Sequence, residues 1–191
     1  MNCHWSEVPD VHLDLWIEMV HNFDNTHSGH VKRVQENMDA VARHFYRNYH
    51  GGYHDLVKDI MLRSQMHDDS KRQNPEFIPY VWRYYRTTWR NKGMSDTRVK
   101  DFMQDPSLIK AIDDAITHHV LNNRHHPEYH RTPDDMSYAD IIEMCCDWYA
   151  MSQEHGTSID DWVRDVIPNR FAFRKSADTV YVTIALLKEL R

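Results

Sequence analysis

Fifteen histidines in 191 residues set the first question of this sequence. They are spread along the chain, not run together as in a tag: five fall between 118 and 130 and none between 68 and 117. Four places stand out. His30 lies one turn before Val34, with His27 one turn further back. His67 continues the line of Leu56 and Ile60 and is followed at once by Asp68, then by Lys71. His118 and His119 close a stripe that runs through Ile112 and Ala115. Asp147 lies between Met144 and Met151, with Asp140 two turns earlier. Taken singly, each has an ordinary explanation. A histidine on an apolar face is usually hydrogen-bonded in a core, an aspartate beside a stripe is usually a cap or a surface residue, and a histidine at a helix C-terminus complements the dipole. Taken together, one shared cause is more economical. Buried imidazoles and carboxylates are costly unless paired or metal-bound, and convergence on one cation removes that cost at every position. A mixed His/Asp set suits Mn, Fe, Co, Ni, Zn or Mg, and no cysteine cluster points to a structural zinc site. Such ligation leaves positions open to water, and a bound water's pKa then falls toward neutrality.

The elements that must carry these residues read as helices. Apolar residues spaced three and four apart predict helices over about 10–23 (Val11, Leu15, Val20), 27–48 (Val31, Val34, Met38, Val41, Phe45), 54–68 (Leu56, Val57, Ile60, Met61) and 106–122 (Leu108, Ile112, Ala115, Ile116). A helix over 75–91 opens at Asn74-Pro75, and the one at 106 opens in the same way at Asp105-Pro106. Residues 123–136, with Pro127 and Pro133, read as a loop. Helices follow over 137–154 and 158–167, and a last one over 176–190, where the β-prone run Val180 to Ile184 leaves a strand open. The expected fold is all-α, one helical domain over 1–191.

Composition narrows the function classes. A formal charge of −6 argues against a general nucleic-acid binder. "WRYYRTTWRNK" (82–92) is locally basic and aromatic; Trp82, Tyr84, Tyr85 and Trp89 could stack a base, bury a contact between copies of the chain in a homo-oligomer, or pack in the core. Cys3, Cys145 and Cys146 give no disulfide framework and read as small buried thiols in a reducing compartment. No apolar run reaches the roughly 20 residues that span a bilayer, and "MNCHWSEVPD" lacks the apolar core of a signal peptide. A soluble, cytoplasmic protein is expected.

The order His30, His67-Asp68, His118-His119, Asp147 resembles the HD-domain superfamily of metal-dependent phosphohydrolases, all-α bundles with an H…HD…D signature. "HVKRV" (30–34) looks like that family's first-histidine helix, "HDDSK" (67–71) resembles its HD-x-x-K form, and the adjacent histidines followed 29 residues later by an aspartate and "WYAM" resemble the second half of the HD-GYP type. The resemblance covers about residues 27–155. It implies a first metal held by His30, His67, Asp68 and Asp147, with His27 the alternative to His30 and Asp68 able to bridge. It implies a second metal held by His118, His119 and one of His125 or His126. The substrate it implies is a nucleotide or related phosphoester. Lys71 would then be a phosphate contact or else a solvated lysine, Arg72, Arg83, Arg86 and Arg124 weaker phosphate contacts, and Glu76 or Asp69 a proton donor. Two departures stand out: residues 69–117 hold no histidine, and "HHPEYH" stands where the GYP segment would be, so no motif supports a cyclic dinucleotide. The alternative is a metal- or nucleotide-binding protein without turnover, such as a phage accessory protein or inhibitor. "HDDSK" and "HHPEY" also resemble blocks of an uncharacterised family of small phage and bacterial proteins, which places the chain in a bacterial or phage-infected cytosol and implies no activity.

Overall fold

A computed structural model describes residues 13–49, 52–91, 93 and 97–190. Cys3, Val11 and Lys92 lie outside the described residues. Among the described residues eight α-helices follow in order: α1 (Leu13–Asn48), α2 (His54–Met66), α3 (Phe77–Asn91), α4 (Thr97–Met103), α5 (Pro106–Asn122), α6 (Tyr138–His155), α7 (Ile159–Val166) and α8 (Ala177–Leu190). Short 3-10 turns occupy Asp69–Arg72, Pro127–Tyr129 and Pro133–Asp135, and a single π turn, Ile167–Phe171, extends α7. Among the described residues there is no strand, so the chain is all-α.

The helix boundaries differ from expectation in three places. The two helices expected over 10–23 and 27–48 are one, α1. Asp24, Asn25 and Thr26 have capping chemistry, but no proline interrupts the run and their side chains sit on its polar face. Asn74 and Pro75 lie in the turn before α3, which starts two residues later at Phe77. α4 has no clear period in the sequence and is only seven residues long. The β-prone run from Val180 to Ile184 is helical. Val180, Thr183, Ile184 and Leu187 recur at three and four residues and are buried, and packing on that face overrides local β preference.

The chain divides into two compact units: Met1–Ser28 with Ser70–His119, and Gly29–Asp69 with Val120–Arg191. Each has its own apolar core. In the first, Met19 and Phe23 of α1 meet Tyr80, Val81, Tyr85 and Trp89 of α3 and Met103 of α4. Tyr85 and Trp89 are thus core residues, and Trp82 and Tyr84 pack against them half-buried. In the second, Val34, Met38 and Val41 of α1 join Ile60 of α2, Ile142 and Cys145 of α6, Val163 of α7 and Ile184 of α8. Cys145 and Cys146 are buried thiols, and burial pushes the Cys145 thiol well up.

The ends of α6 and α8 fix what lies between them. Ser137 accepts a hydrogen bond from the Asp140 backbone N–H while the Asp140 carboxylate accepts from the Ser137 N–H, a capping box. Gly156 closes α6 in the left-handed conformation, φ 62°, which costs glycine little. Asp134 accepts from the backbone N–H groups of Arg174, Lys175 and Ser176 and from the Ser176 hydroxyl, so a carboxylate from the loop before α6 seals the N-terminus of α8.

Candidate metal centre

In the second unit, four separate stretches of chain bring imidazoles and carboxylates to one buried place. α1 supplies His30. α2 stops at Met66, and the chain then turns sharply: His67 is extended and Asp68 is left-handed at φ 61°. A non-glycine residue there is strained by roughly 1–3 kcal/mol and persists where the surroundings demand it. The turn sends the His67 and Asp68 side chains into the interior, where both are 2 % exposed. The 123–136 loop supplies His125, and α6 supplies Asp147.

The distances are short enough for one cation to be shared among these groups. His30 Nε2 lies 3.0 Å from Asp147 Oδ1 and 3.7 Å from Asp68 Oδ2. His67 Nε2 lies 3.7 Å from the same Asp68 oxygen, and His125 Nε2 is 3.7 Å from Asp68 Oδ1. Ligand atoms about 2.1 Å from one ion stand about 3.0 Å apart at right angles and about 3.4 Å apart in a tetrahedron. Donor atoms of His30, His67 and Asp68 all fall within 4.8 Å of one another, as do those of His67, His125 and Asp147. These buried His/Asp groups could hold a metal ion. The two oxygens of Asp68 serve different partners, Oδ2 the His30–His67 side and Oδ1 His125. His67 Nε2 is buried without a hydrogen-bond partner, a costly state that a cation would relieve.

Each ring is held from behind. His30 Nδ1 donates to Glu154 Oε1 (3.0 Å). His67 Nδ1 and His125 Nδ1 both donate to Glu143 Oε1 (3.0 and 3.4 Å). A carboxylate on Nδ1 fixes the tautomer and turns Nε2 toward a ligand. Asp140, Glu143, Asp147 and Glu154 follow at intervals of three, four and seven, which puts all four on one face of α6. The electrostatics match. Burial works against a charged His30, but hydrogen bonds to Asp147 and Glu154 outweigh it and raise its pKa to about 10. Burial likewise opposes a charge on His67, while Asp68 and Glu143 raise it. Burial would raise Glu143, yet His125 and His67 hold it at about 2. Asp147 is held far below the usual carboxylate range by His30, His67 and His125 against its own burial. Protons on the imidazoles stand where a divalent cation can replace them.

The other expected residues have surroundings of their own. His27 is buried in the first unit, stacked on Phe23 with ring centroids 5.0 Å apart, so His30 is the α1 residue that meets the aspartates. His126 lies against the His125 ring, centroids 4.1 Å apart. His118 and His119 belong to the first unit, where both donate from Nδ1 to the buried Glu76 (2.8 and 2.9 Å) and the Ser70 hydroxyl donates to the same carboxylate (2.9 Å). The two imidazoles and Ser70 outweigh the burial of Glu76 and lower its pKa. Lys71 is buried with its ammonium 5.2 Å from the Tyr80 ring centre; Arg83 lies 5.4 Å from that ring and His119 5.6 Å from it. Arg72 pairs with Asp24 and Ser28. Arg124 forks onto Asp140 (3.1 and 3.0 Å), which is also held by Arg63 (2.7 Å). Asp140 is therefore a cap and ion-pair partner.

Glu143, Glu154 and Arg63 escaped sequence reading. Glu143 falls three residues after Asp140 and four before Asp147, and that spacing is the one signal that could have found it.

No helix of the described residues is long and apolar enough to cross a membrane. No curated protein and no solved structure matches the chain. The model of a family of unknown function, DUF5662, matches residues 19–180. Since that match spans most of the chain, the protein belongs to the DUF5662 family.

Proposed function

We propose that this protein is a metal-dependent phosphohydrolase of HD type, acting on a nucleotide or a related small phosphoester. The observation that carries the reading is the convergence of His30, His67, Asp68, His125 and Asp147 at coordination separations, with Glu143 and Glu154 behind the rings. An all-nitrogen-and-oxygen donor set suits Mn, Fe, Co, Ni or Zn, with Mg also accommodated, as one ion or as two bridged by Asp68. The chemistry such an ion supplies is acidification of a water and neutralisation of charge on a phosphoryl group. The chain's own part is to hold five ligand atoms rigidly, keep Nδ1 of three rings protonated, and exclude bulk water around Asp68. Lys71 is the proposed phosphate contact. Its burial against Tyr80 suits a lysine held in one direction.

A second reading, binding without turnover, draws on Arg72 and Arg124, whose guanidiniums are engaged by Asp24 and Asp140. The experiment that separates the two is elemental analysis of the purified protein, followed by a hydrolysis screen. The screen covers nucleoside mono-, di- and triphosphates, cyclic dinucleotides and a generic phosphodiester, each with several divalent metals. Turnover lost in Asp68→Ala and reduced in Lys71→Met supports the enzyme. Bound metal with no turnover on any substrate overturns it in favour of binding.

A further inference from the structure

Glu143 does something that Glu154 does not: one of its oxygens serves two rings. Oε1 accepts from Nδ1 of His67 and of His125, and Oε2 faces Arg63 Nη1 at 3.4 Å. Arg63 is itself anchored, with Nη1 on Asp140 (2.7 Å) and Nε on Asp59 (2.9 Å). A guanidinium only donates, so the edge of residue 143 that meets Arg63 must accept. We infer that Arg63 and Glu143 act as a positioning pair in which Arg63 dictates which edge of residue 143 faces the rings, and Glu143 thereby fixes the tautomer of His67 and His125 together, leaving both Nε2 lone pairs for a divalent cation.

The inference rests on the metal reading above, but its logic can be tested separately. An amide at position 143 has one accepting edge and one donating edge. In Glu143→Gln the arginine claims the carbonyl oxygen, and the amide NH2 is turned toward two Nδ1 atoms. Both rings must then accept at Nδ1 and protonate Nε2, which removes two ligands at once. Taking away the arginine's donor, in Arg63→Met, frees the amide to rotate and offer its oxygen to the rings. A loss caused by one substitution should therefore be repaired by a second, on a residue that touches neither ring.

The test uses the full chain as wild type, Glu143→Gln, Arg63→Met and the double variant. Mn2+ and Zn2+ are titrated separately into metal-stripped protein against a chromophoric chelator. Loss of an outer partner typically weakens metal affinity roughly 10–100-fold. Glu143→Gln is expected at the upper end of that range, Arg63→Met at the lower end or below it, and the double variant about tenfold tighter than Glu143→Gln alone. The second readout needs no metal: downfield Nδ1–H proton resonances of His67 and His125 in metal-stripped, 15N-labelled protein. They should be present in wild type and Arg63→Met, absent in Glu143→Gln, and restored in the double variant. If wild type holds neither ion, the metal reading fails while the resonances still decide the positioning pair. Should Glu143→Gln not fold alone, a folded double variant with both resonances supports the inference. Wild-type resonances in Glu143→Gln, a double variant no better than Glu143→Gln, or failure of both to fold overturns it.

Discussion

The two units each gather histidines around buried acid, but they do so with opposite charge balance. In the second, carboxylates stand on both sides of the rings: Glu143 and Glu154 behind them, Asp68 and Asp147 in front. In the first, Glu76 stands behind His118 and His119, and the groups gathered around Tyr80 are Lys71, Arg83 and His119. Acid on the Nε2 side makes a place for a cation. In the first unit a single acid stands behind two rings, with lysine and arginine around Tyr80. In both units a glutamate faces Nδ1; the difference is that in the second unit Asp68 and Asp147 also stand on the Nε2 side.

The contrast can be broken most sharply at Asp68. Asp68→Ala removes the residue whose two oxygens address three histidines, and metal affinity is expected to fall by more than ~100-fold, beyond the effect of an outer partner. Chelator competition measures it, with circular dichroism showing that the helices remain. Glu76→Ala is expected to act on stability instead. It strips a buried acceptor from two imidazoles and a hydroxyl, at a cost of about 3 kcal/mol in denaturant unfolding. Metal loss in Glu76→Ala as deep as in Asp68→Ala would erase the distinction between the two clusters.

A smaller effect, from a carboxylate remote from either cluster, sharpens the scale. Asp134→Ala removes the seal on α8 and should cost about 1 kcal/mol, toward the lower end for a solvent-screened cap, with metal affinity unchanged. The Ser176 hydroxyl and backbone N–H groups hold the Asp134 carboxyl below its usual range. Its contribution is thus complete above the unfolded value near 3.8 and disappears as pH falls from there through the lower folded value. Thermal unfolding of wild type and Asp134→Ala should accordingly converge in acid. Least of all is expected from Arg72→Ala, an exposed pair with Asp24, at under ~1 kcal/mol by the same melts. A marked rise in KM for a phosphoester in that variant would show that Arg72 leaves Asp24 for substrate.

Much of this was readable from residue spacing, for a physical reason. His30, His67 and Asp147 lie on or beside apolar stripes, where a polar side chain is conspicuous, and sequence patterning located six of the eight described α-helices within a few residues. Glu143 and Glu154 were invisible because a glutamate near a helix's polar edge looks like any solvated charge. Only the fold shows that Glu143 is 5 % exposed. His125 was legible as a ligand candidate, by resemblance for a second metal with His118 and His119, but its approach to Asp68 and Glu143 was not. A loop residue carries no periodicity from which its direction could be read. The join of α1 across 24–26 was missed for the converse reason. Capping residues state a preference, and a helix already committed on both sides ignores it.

Four acids on one face of α6 also constrain how the chain can change over time. Deleting or inserting a single residue between Asp140 and Glu154 would rotate everything beyond it by about 100°. Glu154 or Asp147 would then swing away from His30 even though every ligand was still encoded. The phase of this helix cannot drift. Length variation among relatives should therefore be absent between Ser137 and Gly156.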